Sequence, residues 1–368
     1  MFRRVYGSIF AAALAGFATL AGAETLQTSA GPVELTKMAE GLDVPWGFDF
    51  LPDQSVLITD RGGRLYHLKD QKLSKIKGVP KVAEVGQGGL LDILVPRDFA
   101  TQREILLTLS RATKGGAGTA VVAAKLSADF STIESAQLLL QVRGAKGGRH
   151  FGSRIVEAKD GSLFVTSGER GDRPSAQNNR NLQGTILRIH RDGSPHRSAP
   201  FANMPDARDE IWSFGHRNPQ GLALDAQGRL WAVEHGARGG DEINRIHKGA
   251  NYGWPVIAYG RHYSGAQIGE GQAKDGMEQP AFYWDPSIAP SGLMIYSGTL
   301  WPEWKGDFFV GSLKFDYIAR LDGAPMQERE QIRHDRTGRI RDIREAPDGS
   351  IWFASQSEGA LFRISPAN

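Results

Sequence analysis

Short apolar runs separated by polar turns recur along the chain, and the stretch at 212–255, WSFGHRNPQGLALDAQGRLWAVEHGARGGDEINRIHKGANYGWP, shows the unit most completely. An apolar run at 220–225 is followed by a turn at 226–228 and a second run at 229–234. A third, at 241–247, comes after a glycine-rich excursion. Such runs, bounded by Gly, Asp and Asn, read as β-strands joined by tight turns. Six pairs of first and second runs overlay on this unit: 47–51 with 55–59, 90–95 with 104–109, 152–157 with 162–167, 220–225 with 229–234, 292–296 with 307–312, and 340–345 with 350–354. A third run follows each pair, at 64–68, 120–126, 185–190, 242–247, 317–321 and 360–364, and several end in Arg-Ile or Arg-Leu. Weaker fourth runs lie at 75–82, 137–142, 210–214, 281–284 and 331–334.

Imperfect repeats averaging roughly sixty residues predict an all-β, six-bladed β-propeller with four-stranded antiparallel blades. The sixth unit has no C-terminal fourth run, so the N-terminal run at 33–38 is predicted to close the ring beside 360–364. Closure in this way leaves no blade edge open. A β-sandwich is the alternative, but it does not account for six copies of one three-strand pattern.

Composition suits a large folded core, with 45 Gly, 18 Pro and 40% hydrophobic residues in a chain of 368. Residues 1–23 carry a basic start (Arg3, Arg4), an apolar run at 9–20 and the small-residue end Ala21-Gly22-Ala23. That pattern predicts a secretory signal peptide cleaved after Ala23, leaving 24–368 as a single propeller catalytic domain, periplasmic or secreted. No other run is long and apolar enough for a membrane helix, so no membrane insertion is expected after cleavage. The chain has no Cys, and its stability must come from packing or metal rather than disulfides. Loss of Arg3 and Arg4 with the signal takes the net charge from +3 to +1, which argues against a nucleic-acid partner.

In a propeller the first strand of each blade lines the central channel, so residues at one phase before those strands crowd one mouth. Gln87, His150, Arg217-Asn218 and Arg339 all stand about nine to eleven residues ahead of the turn residues Asp98, Asp160, Gln227 and Asp348. A second polar set, Asp60-Arg61, Ser110-Arg111, Glu169-Arg170, Glu234-His235 and Lys314, ends the second strands and belongs near the same mouth. A rim gathering His150, Arg217, Lys314, Arg339 and Arg341 suits a polyanionic ligand, because guanidinium groups grip carboxylates bidentately. Taken singly, each cation is as well explained by solvation or by tying blades together. Gly147, Gly148 and Gly152 flank His150 and would let backbone approach a ligand closely. The segment 234–242 reads either as a Ca²⁺ loop of hard oxygen donors or as a glycine-rich hairpin with solvated acids. KGGAGT at 114–119 lacks the Gly-Lys-Ser/Thr ending of a phosphate loop and reads as a hairpin turn.

These residues resemble the soluble quinoprotein glucose/sorbosone dehydrogenase family, and within it the aldose sugar dehydrogenase branch. The marks are GLDVPWGFDF (41–50), GQGGLLDI (86–93), RHFGSRI (149–155), GHRNPQGLALD (215–225), EHGARGGDEIN (234–244), NYGWPV (251–256), APSG (289–292) and RIRDI (339–343). The resemblance implies a propeller that holds pyrroloquinoline quinone (PQQ) and Ca²⁺ at the channel mouth. His150 matches the catalytic base, and Glu169 stands where some members pair an Asp with it. Gln87, Arg217, Asn218, Lys314, Arg339 and Arg341 match positions near the cofactor, and Trp284 an aromatic over it. Gly236 and Ala237 match the pair whose carbonyls bind the cofactor's Ca²⁺, while Glu242 and Tyr252 match a second, structural Ca²⁺ site.

The implied activity is oxidation of aldose sugars at the anomeric carbon to lactones. Hydride passes to the quinone, and electrons go on to an external cytochrome or quinone-type carrier. The enzyme is expected to act as a monomer or homodimer. Two other readings share the scaffold: a Ca²⁺-dependent sugar lactonase, which needs carboxylates converging on an axial metal, and a non-enzymatic binding module.

Overall fold

The computed structural model describes residues 24–367; the predicted signal peptide and its cleavage point lie outside them. Six antiparallel sheets follow one another along the chain. Blade I is built from Pro45–Phe50, Val56–Asp60, Arg64–Lys69 and Lys72–Ile76, and blade II from Leu90–Leu94, Glu104–Thr113, Gly116–Leu126 and Ile133–Gln141. Blade III comprises Ile155–Glu157, Leu163–Ser167, Thr185–Ile189 and Ile211–Phe214; blade IV comprises Pro219–Leu224, Leu230–Glu234, Asp241–Ile246 and Phe282–Trp284. Blade V runs through Pro290–Ile295, Phe308–Ser312, Ile318–Asp322 and Gln327–Ile332. Blade VI has Ile340–Glu345, Ile351–Ser355 and Ala360–Pro366 from the C-terminus and Gly31–Ala39 from the N-terminus.

The ring closes as the pattern predicted, with Leu35 opposite Ile364 and Lys37 opposite Phe362. Beyond that strand lies a fifth, Glu24–Thr28, hairpinned onto Gly31–Ala39. Its sequence, ETLQT, is too short and polar to announce itself, and only its partner gives it a place. The outer strands of blades I and V begin earlier than the predicted 75–82 and 331–334. In blade I, Asp70 and Gln71 both take positive φ, so a two-residue turn sends the chain straight back and Lys69 pairs with Lys72. Val79 and Val82, which made the later segment look strand-like, instead lean on the core between blades I and II from a loop.

Each of the six blade interfaces has its own apolar cluster. The aromatic-rich one between blades V and VI contains Tyr296, Trp301, Trp304, Phe309, Phe353 and Phe362. Burying each such side chain contributes about 1.5–3 kcal/mol, which lets the ring hold together without disulfides. Among the described residues no helix is long and apolar enough to cross a membrane.

The channel is plugged midway by charge. Arg154 reaches Asp92 at 3.2 Å and Asp342 at 2.8 Å, and Arg344 reaches the same two carboxylates at 2.6 and 3.1 Å. Burial pushes the Asp92 carboxyl up, and Arg344 and Arg154 pull it back. Arg154 also donates to the Gln220 carbonyl at 2.6 Å and the Arg341 carbonyl at 2.8 Å, so one guanidinium joins blades II, III, IV and VI at the axis. Removing one side of a buried ion cluster strands the other. Arg154→Met is therefore expected to lower the unfolding free energy by about 3 kcal/mol. Urea denaturation checks this, and an unmoved midpoint would show the cluster to be dispensable.

Candidate functional site

Above the plug the channel opens into a cleft of about 1260 Å³. Gln87, His150, Arg217, Asn218, Gly236, Ala237, Lys314, Arg339 and Arg341 all line it. The shared phase is the cause. Gln87, His150, Arg217 and Arg339 precede the innermost strands of blades II, III, IV and VI, and Lys314 leaves the second strand of blade V. The imidazole and the cations thus face one space.

Glycine backbones place His150. A Cβ on Gly86 would lie 2.3 Å from the Gly148 carbonyl oxygen, so the loops 86–88 and 147–150 meet main chain to main chain. Gln87 N–H donates to the Gly148 carbonyl at 2.6 Å, and the Gln87 side-chain carbonyl accepts from His150 N–H at 2.7 Å. The glycines around His150 therefore serve loop-to-loop approach. His150 itself has φ +58, a conformation unfavourable for a side chain with a Cβ and held here by those contacts.

The His150 ring donates from Nδ1 to Glu169 Oε1 at 2.7 Å. Glu169, 1% exposed, reaches the ring, and its other oxygen accepts from Gly171 N–H. Because a carboxylate only accepts, Nδ1 carries the proton and Nε2 keeps its lone pair, which no described residue claims. Burial pushes the His150 pKa down, and the Arg217 charge adds to this, while Glu169 opposes it. The result is a neutral imidazole with a fixed tautomer, the state a general base requires.

Seven Arg or Lys side chains line the cleft against two carboxylates, Asp285 and Asp316. Asp316 is partly used in accepting from the Arg339 N–H at 2.6 Å. Arg217 is 8% exposed, with its guanidinium 5.3 Å from the Trp254 ring and donating to the His235 carbonyl at 3.3 Å. Arg341 donates to Gln220 Oε1 at 3.2 Å, and its pKa is pushed down to about 9 by burial and by Arg154, Arg339 and Arg61. In both, Nε is buried without a hydrogen-bond partner. Buried guanidiniums without carboxylates are costly, and this arrangement is complete only with an anion in the cleft. Asn218 uses Oδ1 to accept from Gly152 N–H at 3.1 Å and Gln220 Nε2 at 3.2 Å.

Trp284 is a correction. It does not line the cleft; its ring packs in the core between blades IV and V, with Nε1 donating to Glu328 at 2.6 Å. Strand alternation turns it inward, and the cleft wall there is made by Asp285, Pro286 and Ser287. Glu242 and Tyr252 line a separate space of about 20 Å³ with Glu234, Gly236 and Gly240. Burial, followed by the Glu234 charge, pushes the Glu242 carboxyl up to about 8. Among the described residues no three His, Asp or Glu side chains gather as a metal site, and Gly236 and Ala237 line the cleft.

His235, which the sequence placed at this mouth, lines the cleft; burial and Arg217 push its pKa down to about 3, and it donates from Nε2 to the Pro290 carbonyl at 2.7 Å. Other cleft residues escaped the sequence reading. Arg238, Arg261 and Tyr263 come from segments without a counterpart in other blades, so no repeat phase pointed to them.

The model of the family described as glucose/sorbosone dehydrogenase matches residues 42–363. The aldose sugar dehydrogenase YliI of Escherichia coli is 42% identical over 347 residues, covering 91% of this chain and 94% of that protein. The crystal structure of the soluble aldose sugar dehydrogenase from Escherichia coli, in its apo form, superposes with a TM-score of 0.87 at 40% identity, over 91% of this chain and 100% of that one. The PQQ-bound aldose sugar dehydrogenase from Streptomyces coelicolor gives a TM-score of 0.75 at 25% identity, over 90% of this chain and 98% of that one.

Proposed function

The chain belongs to the glucose/sorbosone dehydrogenase family, and from that premise we propose that it oxidises aldose sugars at the anomeric carbon to lactones, using PQQ and Ca²⁺ held in the cleft. The observation that carries this reading is a neutral, carboxylate-braced imidazole facing an excess of cations, two of which bury an unpartnered Nε. A flat quinone bearing three carboxylates has the charge and shape this cleft lacks.

Arg217, Lys314, Arg339 and Arg341 would hold the carboxylates of the cofactor, and the main chain of Gly236 and Ala237 would supply oxygens to the metal. PQQ held by these residues would supply a two-electron acceptor for the hydride leaving the anomeric carbon, and Ca²⁺ would supply Lewis acidity to it. His150 Nε2 takes the proton from the anomeric hydroxyl, so the sugar loses two electrons and two protons. Glu169 keeps Nδ1 protonated and the ring oriented, and stabilises the imidazolium that forms. Gln87 fixes the main chain of His150, and Asn218 ties Gly152 to Gln220, the residue that also accepts from Arg341. Glu242 and Tyr252 belong, in this reading, to a second and structural Ca²⁺ site. Electrons then pass to an external carrier, in the periplasm or outside the cell, with the enzyme a monomer or homodimer.

A lactonase would need axial carboxylates free to hold a metal; here the axial Asp92 and Asp342 are taken up by Arg154 and Arg344, and the cleft above them presents His150 and arginines. The test is to add PQQ and Ca²⁺ to the purified protein and follow aldose oxidation with a dye acceptor. Activity is expected with both and with neither alone. Lactone hydrolysis with Ca²⁺ only, and no dye reduction with both, would overturn the reading.

A further inference from the structure

Tyr263 stands at the lip of the cleft with 74% of its surface exposed. Its loop is braced. His262 N–H donates to the Ala266 carbonyl and Gly265 N–H to the His262 carbonyl, both at 2.8 Å, and Arg261 pairs with Gln267 across the hairpin. At the base, Arg261 and Arg238 exchange main-chain hydrogen bonds of 3.0 and 3.1 Å, which ties the hairpin to the segment that carries Gly236 and Ala237. The His262 ring meets Arg173 at 3.0 Å, and Arg173 lies 5.3 Å from the Trp254 ring. A fixed scaffold therefore holds an aromatic ring out over the cavity.

Other exposed aromatics near this mouth are already engaged. Tyr283 stacks on Tyr259 with centroids 4.1 Å apart, and Phe315 has the Lys314 ammonium 4.7 Å from its ring. Tyr263 makes no aromatic or cation–π contact among the described residues. Tyr263 lines the same cleft as Arg217. Below it the cleft is lined by cations and amides that suit carboxylates and hydroxyls. The other aromatics lining the cleft, Trp46 and Phe151, are 3% and 2% exposed and lie under Arg154 at 4.3 Å and Arg170 at 3.3 Å. A pyranose ring also presents a face of C–H groups, and the electron-rich face of an aromatic is their complement.

We infer that Tyr263 is the platform on which the sugar ring stacks, making it a specificity-determining residue for pyranose substrates. This rests on the sugar reading above, and the experiment separates the two. In the PQQ- and Ca²⁺-loaded enzyme, Tyr263→Ala is expected to raise KM for aldopyranoses about tenfold with a far smaller change in kcat, and Tyr263→Phe to restore KM to within about twofold of the parent value. Calorimetric titration with 1,5-anhydroglucitol, a pyranose without an oxidisable anomeric hydroxyl, should show the same loss in Tyr263→Ala and the same rescue in Tyr263→Phe. Unchanged KM and unchanged analogue binding in Tyr263→Ala would overturn the platform, as would Tyr263→Phe failing like Tyr263→Ala, since the hydroxyl would then be the contact. Failure of the parent protein to bind the analogue would overturn it too. Absent dye reduction by the loaded parent, with analogue binding still dependent on the ring, would sink the oxidoreductase reading alone.

Discussion

Replacing His150 by Ala is expected to cut kcat for aldose oxidation by about 10³-fold while PQQ still binds. The proton of the anomeric hydroxyl would have no acceptor, whereas the arginines proposed to hold the cofactor would be untouched. Steady-state kinetics beside an absorbance titration with PQQ separates the two effects, and an unaffected rate removes His150 as the base. A pH profile adds a signature. The base works only when neutral, so activity is full above its pKa and falls as pH drops through it. Burial and the charges of Arg217 and Arg149 lower that pKa against the opposing pull of Glu169, so the acid limb should lie below the ordinary histidine value of about 6.5. Glu169→Gln removes the raising influence and is expected to move the limb lower still.

The second large effect belongs to Arg341. Arg341→Ala should weaken PQQ binding by about two orders of magnitude, the scale for losing one partner of a desolvated charge pair. The folded state should tolerate the change better than it tolerates loss of Arg154. Arg341 sits beside Arg154, Arg339 and Arg61 with its Nε unpartnered, so its removal relieves repulsion in the cofactor-free protein. Fluorescence or absorbance titration with PQQ measures the affinity, and thermal melting of the apoprotein measures stability. A defect in kcat with unchanged PQQ affinity would count against the assigned role.

The two outcomes draw on different kinds of legibility. That His150 and Arg339 share a cavity was readable because blade repeats impose a common phase, and residues at that phase before the innermost strands must meet at the axis; Arg341 stands two residues further on, in the innermost strand of blade VI. Whether the longer Glu169 reached His150 was not readable. It depends on the Glu169 side chain being held by Gly171 N–H, and on the contact of Gly86 with Gly148 that sets the position of the His150 main chain. Trp284 shows the reverse error: alignment to a family position suggested the cleft, and strand alternation sent the ring into the core.

A short apolar run bounded by turn residues is a local property, and its repetition sufficed for the six blades, their order and the N-terminal strand that completes the ring. It also placed the candidate base and most of the cations on one rim. The tertiary structure alone decided the rest: the fifth strand Glu24–Thr28, the Arg154 plug, the contact of His235 with the Pro290 carbonyl and the braced hairpin that carries Tyr263. Those features arise from contacts between segments far apart in the chain, in loops whose conformation is set by positive φ, glycine approach and partner carbonyls. None of these leaves a period in the sequence.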